Sequence, residues 1–466
     1  MICSGSSYAN IVTVKYSGSS GSKIKRWQTL HRALSSSLSR VAPDKSRFIL
    51  PEQQALFPKG FKAAATHCGI KKVKGALDLA LVTSTTASPT SAAACFTKNV
   101  FQAAPVQVSR SILLNNAGRA QRVIVNSGCA NAVTGKQGME DAWTMSQGVD
   151  ELTDDGGTLV MSTGVIGQNL PINKISAAIP TLTTGLSNSY TAWHSAARAF
   201  MTTDTFPKMR TKSAKIQGRE VRFVGMDKGA GMIHPRMGAP HATLLGLIAT
   251  DAAIEPKALQ SALTHAIDRS FNSISVDGDM STNDTVIAFA NGASGAKNIT
   301  SETSPEWLTF RDELTDFAIE LAGLVVRDGE GATKFIKITV NGTPTYEDAH
   351  HIASVIARSP LVKTAMHGAD ANWGRILCAV GYSTPSSFTI DPLKVSVSFV
   401  PSDGSGVLRT LIRGEPQSVD EVKAKRILDL EDIEIQVDLE MGDHSAAYFT
   451  CDLSKDYIEI NADYRS

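Results

Sequence analysis

Lys228-Gly229-Ala230-Gly231-Met232-Ile233-His234-Pro235, then Arg236 to His241, then Ala242-Thr243-Leu244-Leu245-Gly246-Leu247-Ile248-Ala249-Thr250-Asp251 is the stretch around which this chain is organised. A glycine-rich turn with one cation leads into a loop broken by two prolines, and an Ala-Thr pair opens an apolar run. Gly229 and Gly231 permit backbone angles that a Cβ would forbid. Leu244 to Ala249 has the length and bounding of a buried strand, although a buried helix shares that pattern. Thr243 therefore sits where a loop meets a rigid element, and a nucleophile gains from rigid placement.

A threonine hydroxyl is a weak nucleophile unless a base stands beside it. One solution uses the residue's own α-amine, freed by chain cleavage. That amine has a reference pKa of roughly 7.7–8.0, so much of it is neutral near pH 8. For Thr243 this requires breaking the bond from Ala242: the hydroxyl attacks the Ala242 carbonyl, the acyl group shifts from nitrogen to oxygen, and water completes the cut. Ala242 hinders such an attack little. Ala-Thr is also a common dipeptide at strand starts, and an isolated motif is a weak signal.

The chain has 466 residues, 42% of them hydrophobic, enough for an ample core and for two or three domains. Its formal net charge of +1 gives no electrostatic argument for nucleic acid or an anionic membrane. No apolar run reaches the length of a membrane span. The six cysteines (Cys3, Cys68, Cys95, Cys129, Cys378, Cys451) are far apart and form no CxxC pair, so they read as reduced or buried thiols. Residues 1–43 contain no Asp or Glu, are rich in Ser, and carry Lys15, Lys23, Lys25, Arg26, Arg32 and Arg40. Trp27, Leu30, Leu34 and Leu38 give Lys25–Leu38 helical spacing. This composition predicts a mitochondrial transit peptide over about 1–43, with a disordered tail as the bland reading.

From Gly60 to Val224 the pattern is mixed α/β, with strands expected at Leu79–Val82, Val123–Val125 and Thr158–Met161 and a helix at Met139–Val149. Asn126 to Gly135 is a small, polar turn that could line a site or merely turn the chain. Ser162-Thr163-Gly164-Val165-Ile166-Gly167 follows a strand and could stabilise an oxyanion, cradle a phosphate or simply turn; it lacks nucleotide-loop spacing. Met201–Lys208 reads as a polar turn. Pro256–Phe271 and Pro305–Arg327 read as helices, the second capped by Ser304. Between them Ser275–Thr285 packs Asp277, Asp279 and Asp284 together, without EF-hand spacing, and reads as a turn network. Glu330 stands between glycines at a helix end, where an exposed loop charge is the simplest reading. His350 and His351 are adjacent and point apart in regular structure, so they do not chelate. Lys394–Val400, Ile433–Leu439 and Tyr457–Ile460 read as strands, with a helix near Val419–Arg426. The last six residues would be frayed on pattern alone.

Lys228–Pro235 with Ala242–Asp251 resembles the signature of the ornithine acetyltransferases, the self-cleaving glutamate N-acetyltransferases of arginine biosynthesis, in their fungal mitochondrial type. Asn126–Gly135, Ser162–Pro171, Met201–Lys208, Ser275–Thr285, Asp328–Lys334, Asp370–Ile376 and Tyr457–Ser466 match too, so the resemblance runs from about Gly60 to the end. The link Arg236–His241 is longer than the family's, and Met280 stands where the family has Thr.

The resemblance implies an α/β fold, a layered αββα sandwich with N-terminal-nucleophile-like autoprocessing. It implies a cut between Ala242 and Thr243, giving an α chain (44–242) and a β chain (243–466) that associate as a heterodimer or in a higher oligomer. Thr243 would take acetyl from N-acetylornithine and pass it to glutamate. Members of the family also load acetyl from acetyl-CoA, and no cofactor or metal is implied. Thr163 and Gly164 would form the oxyanion hole. Thr205 (with Thr203 as the alternative), Lys228, Thr243, Glu330, Asn461 and Ser466 would contact substrate. Lys228 suits a carboxylate and Glu330 an amino group. Two other readings remain: a related self-cleaving aminopeptidase or amide hydrolase, and a non-catalytic glycine-rich phosphate-binding protein that stays one chain.

Overall fold

The computed structural model describes residues 43–153, 156–238 and 244–462. The expected transit peptide up to residue 42, the Ala242–Thr243 junction and Ser466 lie outside these residues, as does the division of the chain at 242/243.

In chain order the first elements are β1 (Phe61–Thr66), β2 (Leu79–Ser84), β3 (Ser91–Thr97), α1 (Ala104–Asn115), β4 (Arg122–Cys129), α2 (Gly135–Asp150) and β5 (Leu159–Val165). Next come α3 (Ile172–Thr184), α4 (Tyr190–Phe200), β6 (Lys208–Ile216), β7 (Arg219–Lys228), β8 (Met237–Gly238), β9 (Leu245–Thr250), α5 (Pro256–Arg269), β10 (Ile274–Ser275), β11 (Thr285–Ala290) and α6 (Pro305–Arg327). The last part holds β12 (Phe335–Thr343), α7 (Tyr346–Arg358), α8 (Pro360–His367), α9 (Trp373–Tyr382), β13 (Ser396–Pro401), β14 (Leu408–Ile412), β15 (Glu415–Pro416), α10 (Glu421–Asp429), β16 (Asp432–Asp438), β17 (His444–Cys451) and α11 (Lys455–Ala462).

The apolar run after Thr243 is a strand. Every residue of β9 is buried, because it lies inside a six-stranded sheet ordered β6-β7-β9-β11-β3-β8. It runs antiparallel to β7, with Lys228 opposite Leu245, and parallel to β11, with Leu245 beside Thr285. A second sheet has the order β1-β2-β4-β5. Met226, Leu245, Leu247 and Phe289 of the first sheet share one apolar core with Leu79, Leu81, Val123 and Val160 of the second. On the other face of the six-stranded sheet, Phe223, Ile248 and Val286 pack with Leu263, Phe317 and Leu321 of α5 and α6. Helices α2 and α3 touch each other and the four-stranded sheet, while α1 and α4 touch both sheets. This is the layered αββα arrangement. A third sheet, β10-β17-β12-β16-β13-β14-β15, has its own core with α7 to α10.

Local rules account for most element ends. Ser304 Oγ accepts the Trp307 N–H at the start of α6, and Pro305 occupies its first turn, where a missing N–H costs nothing. Tyr457–Ile460, expected as a strand, lies instead in α11. Ser454 Oγ accepts the Tyr457 N–H, which starts a helix, and the Tyr457 ring joins the core beside α6. Four residues of alternation are too few to outweigh a cap and a packed ring. His350 and His351 do point apart, one to Ser273 Oγ and the other to the Ser383 carbonyl. Among the described residues no helix is long and apolar enough to cross a membrane.

Candidate active site

A cavity of about 320 Å³ opens where β5, the end of β7, the start of β9 and α11 converge. Thr163, Gly164, Lys228, Glu330 and Asn461 all line it, and so does Leu244, the residue after Thr243. Four sequence-distant segments named on resemblance are thereby brought together. The placement of Lys228 relative to Thr243 across the long link lies outside the described residues.

Thr163 and Gly164, expected in a turn, lie in the last residues of β5, and the Asn126–Gly135 stretch shapes that strand end. β4 and β5 run parallel until a bulge at Gly128–Cys129. Gly164 has φ +129°, and a Cβ there would lie 2.3 Å from the Gly128 carbonyl carbon. No side chain fits, so glycine is required on both conformational and steric grounds. Ser162 Oγ donates to Asn126 Oδ1 at 2.6 Å, and Asn126 Nδ2 donates to the Cys129 carbonyl at 2.9 Å. Asn283 Nδ2 donates to the carbonyls of Ser162 and Ala130, tying the end of β5 to the lead-in of β11. The polar turn that could have been a plain connector is thus the support of the site.

Lys228 is half-buried, and its Nζ donates to Thr163 Oγ1 at 3.1 Å. An ammonium has no acceptor, so Thr163 accepts here and keeps its own proton for a further bond. Burial pushes the Lys228 ammonium down, with Asp204 opposing. Asp204 Oδ1 accepts the Gly229 N–H at 2.7 Å and Lys208 Nζ at 2.6 Å, and Lys208 also reaches Asp328 at 2.6 Å. Burial alone would raise the Asp204 carboxyl, but Lys208 and then Lys228 overcome this and hold it well below its ordinary range. This ion cluster, which the sequence reading did not identify, fixes the turn that carries Lys228.

Glu330 is buried, and its Oε2 accepts from Asn461 Nδ2 at 2.7 Å. A Cβ on Gly231 would lie 2.4 Å from that oxygen, so the carboxylate rests directly against bare backbone. The exposed-charge reading of Glu330 is therefore overturned. Opposite charges at Lys228 and Glu330 suit the two ends of an amino acid. Each charged hydrogen bond is worth about 1.5–3 kcal/mol. Glu330→Ala should accordingly lower kcat/KM for the amino-acid substrate by roughly tenfold to over a hundredfold. Steady-state kinetics checks this, and a value within about twofold would make Glu330 a spectator.

Thr205 is not brought to the cavity. Its N–H donates to Asp328 Oδ2 at 2.9 Å and its hydroxyl donates to the other oxygen of the same carboxylate. Asp328 is fully buried and needs donors, and Thr205 supplies two. Thr202 and Thr203 line the cavity instead, so the alternative residue is the better placed one. The carboxylates of Ser275–Thr285 also divide. Asp277 accepts the N–H groups of Met232, Ile233 and Asp279, as a turn network should. Asp284 does not belong to that network. It lines the cavity, is 1% exposed, and neither carboxyl oxygen has a hydrogen-bond partner among the described residues. No signal in the sequence separates it from its two neighbours. Among the described residues no three His, Cys, Asp or Glu side chains converge as metal ligands.

Residues 62–466 match the model of the ArgJ family. A protein of Postia placenta named "Arginine biosynthesis bifunctional protein ArgJ, mitochondrial" is 58% identical over 95% of this chain and 99% of its own length. One of Laccaria bicolor with the same name is 56% identical over 94% and 99%. Among solved structures, arginine biosynthesis bifunctional protein argJ from Bacillus halodurans is 38% identical over 46% of this chain and 95% of its own, with a TM-score of 0.42. An ornithine acetyltransferase complexed with ornithine from Mycobacterium tuberculosis is 34% identical over 39% and 94%, with a TM-score of 0.33. By the family match and the near full-length relatives, the chain belongs to the ArgJ family.

Proposed function

We propose that this cavity transfers acetyl from N-acetylornithine to glutamate through an acetyl group carried on Thr243. The protein is a mitochondrial acyltransferase of arginine biosynthesis. The observation that carries the site reading is the meeting of Thr163, Gly164, Lys228, Glu330 and Asn461 around Leu244 in one cavity. In this reading residues 1–43 are the transit peptide, and the remainder cuts itself into 44–242 and 243–466. The pieces remain a heterodimer, bridged by the Lys208–Asp328 ion pair. Thr243 is then the first residue of its chain, and its α-amine is the base for its own hydroxyl. Thr163 and Gly164 face the oxyanion, Lys228 takes a carboxylate, and Glu330 with Asn461 takes an amino group. Ser466 completes the substrate contacts at the chain end. Acetyl-CoA enters as an alternative donor that makes N-acetylglutamate, and no cofactor or metal takes part.

The family and its relatives do not favour a hydrolase that loses acetyl to water, nor a phosphate-binding protein that stays whole. Intact-mass spectra of the protein exposed to N-acetylornithine alone should show one acetyl on the piece that begins at Thr243. Initial rates at varied N-acetylornithine and several fixed glutamate levels should give parallel lines. Intersecting lines with no acetyl on that piece would mean direct transfer and would end the proposed role of Thr243.

A further inference from the structure

Among the described residues, Asp284 is the one carboxyl lining this cavity that nothing holds. Glu330 has Asn461, whereas both Asp284 oxygens are bare among the described residues. Its backbone is pinned: the Asp284 carbonyl accepts the Thr97 N–H, and the next residue, Thr285, donates its N–H to the Leu244 carbonyl. Asp284 and Leu244 each come one residue before the first rung of the β9–β11 ladder, Thr285 beside Leu245, and Leu244 follows the nucleophile position directly. Burial drives its carboxyl well above the ordinary range, and Lys228 is the charged group that opposes this. Lys228 in turn feels Asp204, Lys208 and Glu330. A bare, buried carboxylate would be costly, but a carboxylic acid is much less so, and a nearby ammonium makes ionisation reachable.

The chemistry of the transfer has a vacancy of that kind. In the first half the hydroxyl oxygen bonds to the acetyl carbon, the amide C–N bond breaks, and the hydroxyl proton passes to the departing nitrogen. That yields a neutral amine, yet an amine of ordinary basicity leaves at neutral pH as an ammonium, one proton richer. In the second half an ammonium arrives and sheds one proton to become nucleophilic. Its nitrogen bonds to the acetyl carbon, the ester C–O bond breaks, and a second amine proton restores the hydroxyl. One proton therefore leaves with the first product and one returns with the second substrate.

We propose that Asp284 stores this proton, giving it to the departing amine and taking it from the arriving one, with Lys228 as counter-ion in between. The proposal rests on the acetyl-threonine reading above. Formation of the acetyl-enzyme should then draw no proton from the medium, although an ammonium is released.

The test adds N-acetylornithine to the mature enzyme in weak buffer with a pH indicator, and counts protons taken up per acetyl found by intact mass. Wild type should take up close to none, and Asp284→Asn close to one. Asp284→Asn should also lose on the order of 10²-fold in kcat, the usual scale for a missing proton-transfer group. Wild-type protein that acetylates and takes up one proton overturns the role of Asp284 alone, whether or not the variant folds. Protein that gains no acetyl overturns the acetyl-threonine reading and this proposal with it. An Asp284→Asn enzyme within twofold of wild type in kcat also overturns the proposal.

Discussion

Thr243→Ala should leave the protein uncut at 242–243 and without acetyl transfer. Alanine has neither the hydroxyl that would attack the Ala242 carbonyl nor, after any cut, one that could hold acetyl. The loss should be complete and not graded, because in the proposed reaction the same oxygen serves maturation and turnover. A denaturing gel and a mass spectrum check the first half, and an N-acetylornithine/glutamate assay the second. Thr243→Ser should be cut and active but slower, since its hydroxyl survives without the methyl that narrows its rotamers. A fully active, uncut wild type would refute this account. So would a Thr243→Ala protein that still matures at 242–243.

Thr163→Ala should cost about 10²–10³ in kcat, the scale for removing one oxyanion donor. The Lys228 ammonium already occupies an acceptor site on the Thr163 hydroxyl, which aims the hydroxyl proton elsewhere. The backbone at Gly164 is fixed by β4 and does not depend on that side chain. The variant should therefore fold, bind substrate with little change in KM and fall mainly in kcat, because the bond strengthens only as charge develops on the carbonyl oxygen. Thr163→Ser should recover most of the loss. Equal losses in the Ala and Ser variants would show that the methyl, not the hydroxyl, matters there.

The sequence revealed elements more readily than roles. β9 and α6 were readable because apolar runs, caps and prolines are local signals, and both sit close to their expected bounds. α11 was misread, since its helix depends on Ser454 and on a Tyr457 ring packed against distant residues. Thr163, Gly164, Lys228, Glu330 and Asn461 were nameable only through family resemblance. No spacing rule links positions 163, 228, 330 and 461; the sheets do. The resemblance pointed to Thr205 before Thr203, because two threonines two residues apart look alike until one is seen spending both its donors on Asp328 while the other lines the cavity. Asp284 could not be separated from Asp277 and Asp279, for what distinguishes it is the lack of donors around it in space.

The strand order β6-β7-β9-β11-β3-β8 has a consequence for the life history of the molecule. A break at 242–243 assigns β6, β7, β3 and β8 to one piece and β9 and β11 to the other, so the second piece is inserted into the middle of a sheet made by the first. Before the break, this weaving is an intramolecular search within one chain. After it, the same sheet could be rebuilt only by two separate chains meeting, at a rate set by their concentration. A cut at that point would make maturation a ratchet: the enzyme would assemble once, on the precursor's terms, and a mature molecule that unfolds would face a harder route back than the one by which it came.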